Sequence, residues 1–171
     1  AGAGGRLPNA MRAAAKFMSA GDGPRIGFVE DSGWDTHSNQ AAVLKRKLGE
    51  LDAGLRAFEE TAKPVWARSV VVVVSEFGRT AAANGTGGTD HGTGGLALLA
   101  GGSVRGGRIA GDWPGLAPGQ LNEGRDLRAT SDLRGLFKGV LAGHLRMAET
   151  ALETSVFPDS RDVPAMTGLV A

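Results

Sequence analysis

Residues 69–74 read Ser-Val-Val-Val-Val-Val, five β-branched side chains in succession with no polar residue among them. Valine is stiff at χ1, which lowers its helix propensity and suits a pleated strand. The absence of hydrophobic–polar alternation predicts a strand buried on both faces, the situation of a central strand in a parallel sheet. The flanking segments supply elements to cover it. Leu44, Leu48, Leu51, Leu55 and Phe58 recur at steps of four and three, the spacing of one helix face, and Pro64 marks the end of that helix. Leu96-Ala-Leu-Leu-Ala100 reads as a second apolar strand. A further helix begins near Ser131 or Asp132, with Leu133, Leu136, Phe137, Val140 and Leu141 on its apolar face. Upstream, residues 9–19 favour a short helix capped by Asn9. Gly21-Asp-Gly-Pro24 breaks it, and Arg25-Ile-Gly-Phe-Val29 reads as a short strand. Arg105-Gly-Gly-Arg108 resembles the turn of a small hairpin carrying Ile109, and the tail from Val156 reads as irregular chain packed on the body. Strands alternating with helices predict an α/β fold, a mostly parallel sheet flanked by helices. With 171 residues, the chain suits a single domain spanning 1–171.

Several function classes are disfavoured by composition. Nineteen basic and 18 acidic residues leave a net charge of +1. There is no basic cluster interleaved with aromatics, and tyrosine is absent, so no nucleic-acid partner is expected. Cysteine is absent, which removes thiolate metal sites, a cysteine nucleophile and disulfides. No apolar run approaches the roughly 20 residues that span a bilayer, and the first residues do not form a signal peptide. A chain that begins Ala1-Gly2 rather than with methionine reads as a processed product or a piece of something longer. Glycine is the one large deviation: 28 residues, concentrated between Gly85 and Gly124, against a usual share of about 7%. Clustered between apolar runs, they indicate long, tightly shaped loops.

In an open α/β sheet, ligands gather beyond the carboxyl ends of the strands. Three polar clusters fall at such ends: Gly33-Trp-Asp-Thr-His37, Ser75-Glu-Phe-Gly-Arg79 and Thr89-Asp-His91. Together they hold two of the three histidines. Histidine and carboxylate are the ligand set of zinc and similar divalent ions. Asp35 and His37, two residues apart, can point the same way from an extended loop. Glu76 leaves a strand end, and Asp90 or His91 could complete a site. Such an ion would polarise an ester oxygen or acidify a bound water. The planar fork of Arg79 matches phosphate, sulfate or carboxylate. The competing reading is structural: Asp35 as a turn cap, Glu76 with Arg79 as an ion pair, and loop glycines that only turn. His144, four residues after Val140 on the last helix, reads as structural. Phosphate-loop and nucleophile-elbow patterns are missing, which leaves Ser75, Thr80 and Thr93 as hydroxyl candidates without a motif.

Four motifs in order, Gly33-Trp-Asp-Thr-His-Ser-Asn-Gln40, Val74-Ser-Glu-Phe-Gly-Arg-Thr80, Gly88-Thr-Asp-His-Gly92 and Gly111-Asp-Trp-Pro-Gly115, resemble an uncharacterised bacterial domain-of-unknown-function family. Its members are described as sulfatase-like and exported by the twin-arginine route, and it is distantly similar to the alkaline phosphatase superfamily. Asp126-Leu-Arg128, Asp132-Leu-Arg134 and Val156-Phe-Pro158 fit the same pattern. The resemblance implies an alkaline-phosphatase-like α/β fold of which this chain is the C-terminal portion, within a larger hydrolase-like domain. It implies metal ligation by Asp35, His37, Glu76 and His91, with Arg79 contacting an anionic ester. Asp90 would orient His91, ligate directly or contact substrate. Phe77 stands where the superfamily usually has histidine, so a second metal would lose a ligand.

The resulting expectation is a metal-dependent, hydrolase-like protein acting on a sulfate or phosphate ester, periplasmic or exported. It would be incomplete and inactive as this fragment, with the missing N-terminal half or a further copy of the chain as partner. The alternative is a non-catalytic exported binding or structural protein that keeps the fold.

Overall fold

A computed structural model describes residues 5–171. The chain folds as two compact units, the first formed by the described residues up to Ala67 together with Thr80–His91, the second by Arg68–Arg79 and Gly92–Ala171.

The first unit is built on two helices, α1 (Arg6–Ser19) and α2 (Gln40–Thr61). They pack through Leu7, Met11 and Ala15 of α1 against Gly54, Ala57 and Phe58 of α2, all buried. Gly54 permits the close approach: a Cβ there would lie 3.2 Å from Leu7 Cγ and 3.4 Å from Met11 Cγ. The cap of α1 is Gly5 rather than Asn9, whose side chain accepts instead from Arg12 Nη1 at 3.0 Å. The buried stripe of α2 is rotated from the leucine face expected: Leu48 is 52% exposed, and Lys47 is buried. Lys47 is held by partners rather than by apolarity. Its Nζ bonds Asp31 and reaches Glu50 Oε2 at 3.2 Å, and it lies 5.1 Å from the centre of the Trp34 ring. Residues 25–29, expected as a strand, form no strand among the described residues. Phe28 is 89% exposed there.

The second unit contains β1 (Val71–Val73), β2 (Gly78–Arg79), β4 (Leu98–Ala100) and α3 (Leu133–Leu145), with a last helical turn, α4 (Glu149–Ala151), continuing into a π-helical turn at Leu152–Val156. A further two-residue strand, β3 (His91–Gly92), pairs with β2. β1 and β4 run antiparallel, with Val71 opposite Ala100 and Val73 opposite Leu98. The mostly parallel, alkaline-phosphatase-like sheet expected from the valine run is therefore absent among the described residues; in its place stand two short two-stranded ladders. Two physical reasons account for the difference. A parallel pair needs a long crossover, usually a helix, and the glycine-rich stretch between β1 and β4 forms no helix. Uninterrupted valine reports apolarity, not strand direction. One side of the ribbon is covered: Val70, Val72, Ala97 and Leu99 pack on the core of Leu136, Val140 and Leu169.

Helix α3 starts where expected. Asp132 caps it, its side chain accepting the Arg134 N–H at 2.8 Å. The tail is irregular and well anchored, as expected. Buried Lys138 donates to the carbonyls of Ser160 and of Val163, the latter at 2.8 Å, and Arg105 N–H donates to Leu169 O at 2.9 Å. No helix among the described residues is long and apolar enough to cross a membrane.

Candidate metal centre

Two stretches of the first unit, 33–40 and 84–91, are stitched together ahead of α2. Thr36 and Thr89 are buried, and both hydroxyls donate to Gln40 Oε1, at 2.7 and 2.6 Å. Thr89 N–H donates to Thr36 O at 3.2 Å, Gln40 N–H to Gly87 O at 2.9 Å, and Ser38 bridges Gly87. Gly88 lets the two backbones touch, since a Cβ there would lie 2.1 Å from the carbonyl carbon of His37. Behind this loop, Asp31 accepts from Trp34 Nε1 at 2.8 Å. Partial burial raises the Asp31 carboxyl, but its bonds to Lys47 and Trp34 outweigh that and hold it below the ordinary carboxylate range.

Asp35, His37 and His91 converge on the exposed side of this stitch, with one ligand atom from each lying within 4.8 Å of the others. Asp35 Oδ1 is 3.0 Å from His37 Nε2 and 2.8 Å from His91 Nε2, and the two imidazole centroids are 4.9 Å apart. Zinc–nitrogen and zinc–oxygen bonds of about 2.0–2.1 Å in a tetrahedron put neighbouring ligand atoms about 3.3 Å apart. The two edges from Asp35 Oδ1 are about 0.3 and 0.5 Å shorter than that spacing, and all three ligand atoms lie within 4.8 Å of one another, so these residues could hold one divalent ion. An ion held by these three side chains alone would keep a fourth position open, the pattern of a catalytic rather than a structural zinc site. Each of the three side chains is about half exposed, so that position faces solvent.

Asp90 stands beside this set. Its Oδ1 is 3.1 Å from His37 Nδ1, so it faces the histidine 53 positions upstream. Residues 90 and 91 are neighbours in extended chain, and successive side chains there point to opposite sides. Thr80 Oγ1 accepts Asp90 N–H at 3.1 Å and donates to Ala82 O at 3.0 Å, which gives that hydroxyl a structural task. Glu76 and Arg79 belong to the second unit: Glu76 is exposed, and the Arg79 guanidinium lies 5.1 Å from the centre of the Phe77 ring. The described cluster of ligand atoms is thus the triad Asp35, His37 and His91. Ser75 Oγ donates to Phe77 O at 3.3 Å, and Thr93 Oγ1 accepts from Asn122 Nδ2 at 3.4 Å. In the second unit Asp126 is fully buried and accepts Thr93 N–H at 2.6 Å. That bond chiefly, with Arg125 beside it, holds its carboxyl below the ordinary range despite burial.

Sequence reasoning passed over Gln40 and Asn84. Asn84-Gly85-Thr86 carries a readable signal: asparagine before glycine in a loop commonly closes an Asx turn. The Thr86 N–H donates to Asn84 Oδ1 at 3.0 Å in that way.

Fold and site together define a two-unit, glycine-rich protein of helices and short antiparallel ladders, with an Asp/His constellation of metal-ligand spacing in its first unit. Residues 4–156 match the model of the DUF1501 family, proteins of unknown function, and the chain belongs to that family. Neither a curated protein nor a solved structure matches it.

Proposed function

We propose that Asp35, His37 and His91 hold a single divalent metal ion of the zinc class in a metal-dependent, hydrolase-like protein acting on an anionic ester, phosphate or sulfate, this chain by itself being incomplete and inactive. The observation that carries this reading is the convergence of ligand atoms from sequence positions 35, 37 and 91 to within 4.8 Å of one another, with both histidines at 2.8–3.0 Å from Asp35 Oδ1. When bound, the ion supplies Lewis-acid polarisation of an ester oxygen. Asp35 contributes the anionic ligand and the two imidazoles the neutral ones. The surface position of the site suits an extended or macromolecular ester. The resemblance of the four motifs to sulfatase-like exported proteins supports the ester class and a periplasmic or exported setting.

Metal analysis of the purified protein with His37→Ala and His91→Ala tests the site. About one equivalent of metal is expected in the wild type and a loss in both variants; unchanged metal content in the variants refutes it. A panel of phosphate and sulfate mono- and diesters, with and without chelator, tests the chemistry. A second reading is a metal-dependent binding module without turnover. Phe77 favours it, because it occupies the position of an expected ligand and its ring lies beside the Arg79 guanidinium. Metal binding without hydrolysis of any ester by the full-length parent protein would select that reading.

A further inference from the structure

We infer that Asn84 is the positioning residue of this centre, acting through Asp90 to keep His37 in the form that presents Nε2 to a metal; the inference rests on the metal reading above. Asn84 Nδ2 donates in two directions, to the His37 carbonyl at 2.9 Å and to Asp90 Oδ1 at 3.2 Å. The same Asp90 oxygen faces His37 Nδ1 at 3.1 Å. One amide group therefore grips His37 from both ends, its backbone directly and its ring through a carboxylate.

The orientation of the amide is dictated by its neighbours. Asn84 Oδ1 accepts the N–H groups of Thr86 and Gly88, each at 3.0 Å, and the Thr86 hydroxyl, whose one proton is shared with the His37 carbonyl, lies 2.9 Å away. Turning the amide over would set an NH2 against backbone N–H donors and an oxygen against a carbonyl and a carboxylate. Only a side chain with an acceptor at one corner and two donors at the other satisfies all of these partners. Aspartate would keep the accepting half and lose the donating half. Asp90, as a carboxylate, can only accept, so His37 must carry its proton on Nδ1 to bond it. Nε2 is then the ring nitrogen turned toward Asp35, 3.0 Å from its Oδ1, and the pairing matches the arrangement in which an outer carboxylate orients a ligating histidine. The Asp90 backbone is itself tied down, its N–H to Thr80 Oγ1 and its carbonyl to Thr80 N–H at 3.0 Å.

The test uses the whole chain and zinc alone as probe. Zinc affinity is measured by competition with a chromophoric chelator for the wild type, Asn84→Asp, Asp90→Asn and Thr86→Val. Long-range proton–nitrogen NMR of the imidazoles reads the protonated nitrogen of His37 in each, with and without zinc. Outer-sphere partners typically set affinity by about 10–100-fold. A loss in that range is expected for Asn84→Asp and Asp90→Asn, together with loss of the hydrogen-bonded Nδ1 proton signal of His37. Thr86→Val removes a hydroxyl that lies within reach of the His37 carbonyl and of Asn84 Oδ1 but leaves both Asn84 Nδ2 bonds and the two N–H groups that fix the amide, so the Nδ1 signal should persist. Unchanged affinity and an unchanged His37 signal in Asn84→Asp overturn the inference. So does an equal loss in Thr86→Val with the signal intact throughout, which would mean that the turn merely holds the loop. If the wild type binds no zinc yet shows the Nδ1 proton and loses it in Asn84→Asp, the metal reading fails while the link from Asn84 to His37 stands.

Discussion

Gly88→Ala is the sharpest perturbation the first unit offers. A methyl group at residue 88 would sit 2.1 Å from the His37 carbonyl carbon, 2.2 Å from its oxygen and 2.5 Å from Ser38 N. Ordinary contact begins at 3.4 Å, and all three neighbours are backbone atoms, so no side-chain rotation relieves the clash. The 33–40 stretch must therefore withdraw by about 1 Å or more, against the bonds that stitch it to 84–91, at the roughly 1–3 kcal/mol that overpacking costs. Metal–ligand distances tolerate about ±0.2 Å, so His37 and His91 cannot both remain ligands after such a shift. Zinc affinity should fall by at least about tenfold, the scale on which a single orienting contact matters. Gly85→Ala is the matched control in the same loop: its Cβ meets nothing within 4 Å, and its effect should stay within about 0.5 kcal/mol. Urea midpoints give the stability and chelator competition the affinity. A Gly88→Ala protein with wild-type midpoint and wild-type zinc affinity would refute the close approach and the geometry built on it.

Zinc itself should stabilise the protein by about 2.7 kcal/mol at a free concentration one hundred times Kd. A chelator-sensitive rise in Tm reads this, and His91→Ala should abolish it. Lys138→Met in α3 leaves the Ser160 and Val163 carbonyls without their charged donor and should cost about 3 kcal/mol; a change in urea stability under about 1 kcal/mol would count against that bonding. Asp31, Asp126 and Asp132 all have carboxyls held below the ordinary range. The unfolded chain then binds more protons in acid, so the stability they contribute is complete above pH of about 5 and is lost as pH falls through their lowered values. Asp126→Asn should flatten this acid slope, and an unchanged slope would remove Asp126 from the explanation.

The elements legible in the sequence were those whose cause is local. Asp132 followed by an apolar 3.6-residue period specifies α3, and the leucine recurrence with Pro64 specifies the extent of α2. What misled was information the chain does not carry locally. The run Val70–Val74 looks the same whether its neighbour runs parallel or antiparallel, and only the lack of a helix between it and Leu98 separates the cases. Buried Lys47 could not be foreseen from a hydrophobic period, because its acceptor, Asp31, lies 16 positions away. At the site, residue chemistry nominated Asp35, His37, Glu76 and either Asp90 or His91, and the fold gathers Asp35, His37 and His91 while Glu76 belongs to the second unit. The pairing of Asp90 with His37 depended on which way two adjacent side chains face, a property of the folded loop. Asn84 escaped notice because an asparagine before glycine is ordinarily explained by the turn it makes.

The connectivity of the first unit has a consequence for dissecting the protein. Its two pieces are separated by residues 68–79, which build β1 and belong to the second unit. Asp35 and His37 lie in one piece and His91 closes the other, so no single contiguous gene segment encodes the first unit without also encoding a strand of its neighbour. A truncation after residue 67 would discard one of the three proposed ligands together with the loop that shapes the site. A minimal zinc-binding version would have to splice residue 67 to residue 80 through a new linker, and whether that spliced chain folds would report how far the two units are independent cooperative blocks.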